Sequence, residues 1–168
     1  MIHVCSLARL QDTVDEIGAR HVVTLLRDHH LVQRPRGISV ENHLILSMDD
    51  ITCEIDGYTH PCDEHVMQLV DFVQDWDRRA PMVMHCYAGI SRSTAGAFVA
   101  ACALNPKRSE AAIALAIREA SPTATPNIRI VTLADQFLGR DGRMIRAVEA
   151  IGPGYAAQEG QPFRLDLE

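Results

Sequence analysis

The segment His85-Cys86-Tyr87-Ala88-Gly89-Ile90-Ser91-Arg92-Ser93-Thr94 restricts what this chain can fold into more than any other part of it. Before it stands a short apolar run, Met82-Val83-Met84, and after it residues 95–102 are small and apolar throughout. That order predicts a buried strand, a tight loop and a buried helix. Backbone N–H groups in such a loop point inward around an anion, and the helix N-terminus adds positive potential. A cysteine at the mouth of that cradle is expected as a thiolate at neutral pH. Arg92, after five intervening residues, is placed to grip an oxyanion bidentately, a geometry that lysine lacks. Gly89 is expected where the backbone needs a conformation or a close approach that a side chain would obstruct.

The rest of the chain supplies alternating strands and helices, then helices alone. Ile2-His3-Val4-Cys5 reads as a strand, and Ser6 as the cap of a helix that runs to about Ile17 and ends at Gly18. Residues 21–26 form a second strand, apolar on both faces, and residues 43–47 a third. A polar loop covers residues 27–42, with His29 and His30 facing solvent. A long loop over residues 48–61 follows the third strand, and loops of that length in a compact domain are usually functional. Pro61 is expected to open a helix whose Val66, Leu69, Val70, Val73 and Trp76 share one face. Further helices are expected over residues 109–120, 128–138 and 142–151. Residues 1–151 thus form one domain, and residues 152–168 read as a polar, loosely ordered tail. The fold class is an α/β sandwich around a mostly parallel sheet.

Composition narrows the function classes. At 168 residues the chain is long enough for a full core. A net charge of −6 argues against nucleic acid or an anionic membrane surface as partner. No apolar run approaches transmembrane length. Five cysteines at scattered spacing, with no secretory leader, point to a reducing cytoplasm. Cys102, in the small-residue helix, reads as a packing residue.

The form His-Cys-x-x-Gly-x-x-Arg-Ser resembles the signature of the cysteine-dependent protein tyrosine phosphatase superfamily, in its compact, dual-specificity-like branch. The likeness extends upstream to residues 17–26, similar to the helix end and strand that enter that fold. It extends downstream to Pro126-Asn127-Ile128-Arg129, similar to the segment packed under the phosphate loop, and stops near Gly152. The resemblance implies Cys86 as nucleophile, Arg92 and the amides of Tyr87, Ala88, Gly89, Ile90 and Ser91 as the phosphate cradle, and Ser93 as a hydrogen-bond donor to the sulfur. It implies that His85 orders the loop and that Asn127 braces it. Phosphate, sulfate or vanadate are the implied loop ligands, with no cofactor and no metal.

The leaving group needs a proton from an acid on a nearby loop. Met48-Asp49-Asp50-Ile51 follows the third strand, where the related phosphatases carry an aspartate. Alignment of the strand ends puts Asp50 in that role; Asp49 is the alternative, and Asp56 stands later in the same loop. The cluster His60-Pro61-Cys62-Asp63-Glu64-His65 could hold a metal, but its spacing matches no standard zinc pattern and a helix start attracts such residues anyway. The expected activity is hydrolysis of phosphotyrosine esters, extending to phosphoserine and phosphothreonine, through a phosphocysteine. A phosphoinositide or small-phosphoester phosphatase is the alternative enzyme; lipid-directed relatives often place lysines inside the loop, and Tyr87, Ala88, Ile90 and Ser91 are uncharged. A non-catalytic phosphopeptide-binding module is the alternative outside enzymes, and binding alone needs no nucleophile.

Overall fold

The computed structural model describes residues 1–28, 30 and 32–167. Five strands make one sheet: β1 (Ile2–Ser6), β2 (His21–Leu25), β3 (His43–Leu46), β4 (Met82–Cys86) and β5 (Phe163–Leu165), in the order β3-β2-β4-β1-β5. The first four pair in parallel, and β5 runs antiparallel at the edge beside β1. The mostly parallel sheet expected from the alternation of elements is therefore present. β2 and β4 lie inside the sheet and are buried on both faces, which is why both read as near-continuous apolar runs.

The helices divide unequally. α1 (Leu10–Ile17) lies on one face, where Leu10 and Val14 pack with Cys5, Val22, Val83 and, from the loop before β3, Ile38. The other face carries α2 (Asp63–Asp75), α3 (Arg92–Leu104), α4 (Glu110–Ala120), α5 (Ile128–Phe137) and α6 (Arg143–Ile151). α3 lies directly on the sheet, buried from Arg92 through Cys102. Its small residues permit that approach: a Cβ at Gly96 would sit 3.4 Å from Leu25 Cδ2 and 3.5 Å from Met84 Sδ. Burial pushes the Cys102 thiol up to about 12, in keeping with a packing role, and pushes Cys5 equally high.

Three expectations need correction. Ser6 does not cap a helix: it ends β1, a 3-10 turn follows over Leu7–Arg9, and α1 begins only at Leu10. The Ser6 hydroxyl is engaged by the Glu159 carboxylate instead of capping, and the Leu7 N–H donates to the Tyr87 carbonyl at 3.1 Å. The helix expected to open at Pro61 begins at Asp63. Cys62 is its cap, and the His65 ring accepts the Cys62 N–H at 3.2 Å. The segment from residue 152 is not a loose tail. It bonds to the α4–α5 connection through Tyr155 N–H to Pro122 O at 2.9 Å, then supplies β5 with Phe163 and Leu165 buried. Period-2 alternation over only three residues is too short a signal to separate from coil. The expectation for His29 lies outside the described residues; His30 is exposed.

Because β5 closes the sheet edge with Phe163, Phe163→Ala is expected to cost about 3 kcal/mol, the usual order for emptying a buried aromatic site. A urea titration beside exposed Gln158→Ala, which should stay within about 0.5 kcal/mol of the parent, checks it. Equal midpoints would mean that the C-terminal strand contributes nothing to the core.

Candidate active site

The loop between β4 and α3 is shaped by what its carbonyls do. The Tyr87 carbonyl accepts from Leu7 N–H (3.1 Å), Ala88 from Gly160 (2.9 Å), Ile90 from Thr125 (2.9 Å) and Ser91 from Asn127 (3.3 Å). The Thr94 hydroxyl also donates to Ile90 O at 2.6 Å and lies 2.9 Å from Ser91 O. With these carbonyls claimed from outside, the peptide planes turn their N–H groups the other way. Among the described residues, the N–H groups of residues 87–91 donate to no protein acceptor. A ring of free amides at a helix N-terminus is an anion-binding concavity.

Gly89 makes that turn possible. Its φ is +72°, in the left-handed region, and a Cβ there would lie 2.8 Å from Cys5 C and from Ser6 N. Cys86, at the end of β4, places its sulfur 3.1 Å from Ser93 Oγ in the first turn of α3. Arg92 is 8% exposed; its Nη1 donates to Met48 O at 2.8 Å, and its buried Nε has no protein partner. The guanidinium is thus fixed at Nη1, and its Nε is left as a buried donor without a protein acceptor. His85 is fully buried, and burial takes its pKa down to about 4, so the ring is neutral at pH 7. Tyr87 projects outward, 69% exposed, at the rim.

The two adjacent aspartates are separated in space. Asp50 is exposed, and its Oδ1 accepts from Ser91 Oγ at 2.7 Å and from Asn127 Nδ2 at 2.8 Å. It therefore stands against the cradle. Asp49 turns away: its Oδ2 accepts from Arg27 Nη1 (3.0 Å) and Thr59 N–H (2.7 Å), closing the base of the 48–61 loop. Asp56 lies exposed in a turn of that loop. Asn127 joins three parts. Its Oδ1 caps α5 through Arg129 and Ile130 N–H, its Nδ2 reaches Asp50, and its backbone holds Ser91.

The His60–His65 cluster is used otherwise. Cys62 and His65 form the α2 cap, while His60 Nε2 lies 3.6 Å from the exposed Glu54 carboxylate. Among the described residues, no three His, Cys, Asp or Glu side chains converge to hold a metal.

Sequence reading missed four contributors. Gly160 approaches so closely that a Cβ there would lie 2.9 Å from Gly89 O. Glu159 accepts from the Ser6 hydroxyl beside it. Both sit in the segment taken for a tail, where a lone glycine carries little signal. Thr24 and His43 were also passed over: the Thr24 hydroxyl lies 2.7 Å from His85 Nε2 and 2.8 Å from His43 Nε2, and a hydroxyl inside the apolar run His21-Val22-Val23-Thr24-Leu25 signalled a buried polar group in need of a partner.

No family model matches the sequence. No curated protein matches it either. Solved structures do resemble the fold. DUSP15 matches with a TM-score of 0.64 at 18% identity, over 89% of this chain and 90% of its own. Human DUSP28 gives 0.64 at 17%, over 83% and 88%. PTPMT1, solved in complex with PI(5)P, gives 0.64 at 15%, over 90% and 94%. The chain has the fold of the cysteine-dependent protein tyrosine phosphatases in its compact, dual-specificity form.

Gly89→Ala should damage the cradle twice, through its left-handed φ and through collision with the β1 backbone. The strain is expected to cost about 1–3 kcal/mol in a denaturant titration. Vanadate binding, followed by calorimetry, should fall at least about tenfold, the equivalent of some 1.4 kcal/mol. Undiminished vanadate affinity would show that the loop does not need this turn.

Proposed function

We propose that this chain is a phosphatase that hydrolyses phosphotyrosine esters, and phosphoserine or phosphothreonine esters as well, through a phosphocysteine intermediate and without a metal. The observation that carries the reading is the meeting of Cys86 Sγ, Ser93 Oγ and the open side of Arg92 at a loop whose amides are free of protein acceptors.

In the first step the Cys86 thiolate attacks phosphorus and the ester P–O bond breaks. The leaving oxygen takes a proton from Asp50, the aspartate that faces the cradle. The loop amides and Arg92 hold the equatorial oxygens as charge redistributes, preorganised and in place before the reaction begins. In the second step Asp50, now a carboxylate, takes a proton from water; the water oxygen attacks phosphorus, and the S–P bond breaks. The Ser93 hydroxyl donates to the departing sulfur. Fixed positive and dipolar groups thus supply the charge stabilisation that a metal supplies elsewhere. His85 and Asn127 are assigned the support of the loop, and Asp49 the closure of the acid loop.

The loop side chains support the proposed substrate class. PTPMT1 was solved with PI(5)P, but Tyr87, Ala88, Ile90 and Ser91 offer no cation to a phosphorylated inositol headgroup. The exposed Tyr87 at the rim suits a phosphorylated side chain on a protein or a small aryl phosphate. All five cysteines are unpaired, in keeping with the reducing cytoplasm assigned to it. No helix among the described residues is long and apolar enough to cross a membrane.

Phosphate release from panels of phosphotyrosine, phosphoserine and phosphoinositide substrates tests the assignment. Cys86→Ser should abolish turnover while still binding phosphotyrosine peptide, since the amides and Arg92 survive. Appreciable hydrolysis by that variant would sink the nucleophile.

The acid makes a separate prediction. Asp50→Asn should slow phosphotyrosine hydrolysis about a hundredfold, and slow an aryl phosphate with an acidic phenol far less, because only the poorer leaving group needs the proton. Asp49→Asn should show no such leaving-group dependence. Its loss of the Arg27 and Thr59 contacts should instead appear in thermal stability. A leaving-group dependence that followed Asp49 would reverse the two roles.

A further inference from the structure

The sheet brings three segments together at one edge. β1 and β4 run parallel with Ser6 opposite Cys86, so Leu7 and Tyr87 leave them side by side. β5 runs antiparallel to β1 with Phe163 opposite Val4, so the residues before it return to that same edge. There the Gly160 N–H meets the Ala88 carbonyl at 2.9 Å. Between the three segments lies a hollow of about 450 Å³, lined by Leu7, Ala8, Tyr87, Ala88, Gln158 and Glu159. Tyr87 and Ala88 belong to the cradle loop, so the hollow adjoins the cradle. It lies on the β1 side of β4, whereas the segment that carries Asp50 follows β3 on the other side.

Phosphate chemistry alone gives no reason for Glu159. A carboxylate beside an anion cradle opposes the ligand that the cradle is built to receive. Yet this carboxylate is held in place, because its Oε1 accepts from the hydroxyl of buried Ser6, the residue paired with Cys86. Its other oxygen accepts no hydrogen bond among the described residues, and no cationic side chain among them pairs with it. Glu159 is exposed, and so is Tyr87, which lines the same hollow. A carboxylate with an aromatic ring nearby suits a guanidinium, which donates to the first and stacks on the second. The next hollow, beyond Leu7, has the opposite character: Arg34 and Arg36 line it, and Arg36 lies 3.4 Å from the Asp15 carboxylate.

We infer that this hollow is a substrate subsite and that Glu159 determines its specificity: it receives an arginine of a phosphopeptide, close in sequence to the phosphorylated residue held by the cradle. The inference rests on the reading of the loop as the phosphate cradle of a phosphatase. A substrate of this kind brings its own cation to Glu159, so the carboxylate that opposes a bare phosphate favours the peptide. The C-terminal segment thereby selects the substrate as well as supporting the loop.

Phosphotyrosine peptides of one sequence, with arginine, alanine or glutamate placed in turn at each position flanking the phosphotyrosine, test it. At one of these positions the arginine peptide should exceed the alanine peptide about fivefold in kcat/KM, the scale of an exposed ion pair with a ring contact. The glutamate peptide should fall below both, and the preference should fade as salt is raised. Glu159→Gln keeps an acceptor for Ser6 and should make the arginine and alanine peptides equal. Glu159→Lys should favour the glutamate peptide. Equal rates for all three peptides in the parent, or an arginine preference undiminished in Glu159→Gln, would overturn the inference. A parent preference for glutamate would overturn it too, and would point to the hollow of Arg34 and Arg36. Binding of the same peptides to Cys86→Ser protein, by fluorescence polarisation, needs no turnover. If the parent hydrolyses none of them while that binding follows arginine and Glu159 as stated, the phosphatase reading falls and the subsite stands. Hydrolysis without any charge preference does the reverse.

Discussion

The site depends on where four carbonyl groups point. Tyr87, Ala88, Ile90 and Ser91 give their carbonyls to Leu7, Gly160, Thr125 and Asn127, and the amides between them are left facing the cradle. Several amides that share one concavity and have no protein acceptor are the arrangement that can receive an anion. The glycine at the centre follows from the same constraint. β1 presses so closely on one side of the loop that no Cβ fits at Gly89, and Gly160 presses on the other side so closely that none fits there. A loop between two backbones admits little other geometry, and the alignment of Cys86, Arg92 and Ser93 is a consequence.

The acid loop is attached to the same frame. Arg92 donates to Met48 O, so the residue that would hold an oxyanion also anchors the start of the segment that carries Asp50. Asn127 completes the link, bonding Asp50 with its side chain and Ser91 with its backbone while it caps α5. Neighbouring aspartates thereby acquire opposite environments. Asp49 is tied inward to Arg27 and Thr59, and Asp50 stands at the mouth of the loop. Adjacent residues in extended backbone point to opposite sides, so a shift of one position exchanges the closing residue for the facing one.

The parts of this arrangement legible in the sequence are those with a local cause. The apolar runs of β2 and β4, the helix-ending Gly18, the small residues of α3 and the spacing from Cys86 to Arg92 each carry a signal within a few residues, and each lies where it was expected. Ser6 looked like a cap because serine before a helical pattern usually is one; its hydroxyl instead donates to Glu159, far along the chain. The C-terminal strand was hidden for the same reason. Phe163 and Leu165 alternate with Arg164 over three residues, and only the exposed edge of β1 makes that a strand. Thr24 and His43 belong to separate strands, and nothing short of the register brings them together.

This division has a consequence for how the site forms. The local motif supplies the reacting groups, but the groups that orient its amides come from residues 7, 125, 127 and 160, spread over most of the chain. Each such hydrogen bond contributes a net 1 kcal/mol or so, too little to hold a strained loop alone. Together, supplied by β1, the α4–α5 connection and the segment before β5, they offset the cost of leaving the loop's own amides unpaired. The cradle is therefore a product of the whole fold rather than of the motif, and a fragment holding only β4, the loop and α3 would carry the signature without the site. The C-terminal segment both pairs with β1 through β5 and donates from Gly160 to the Ala88 carbonyl, so the edge of the sheet and the loop between β4 and α3 share one support.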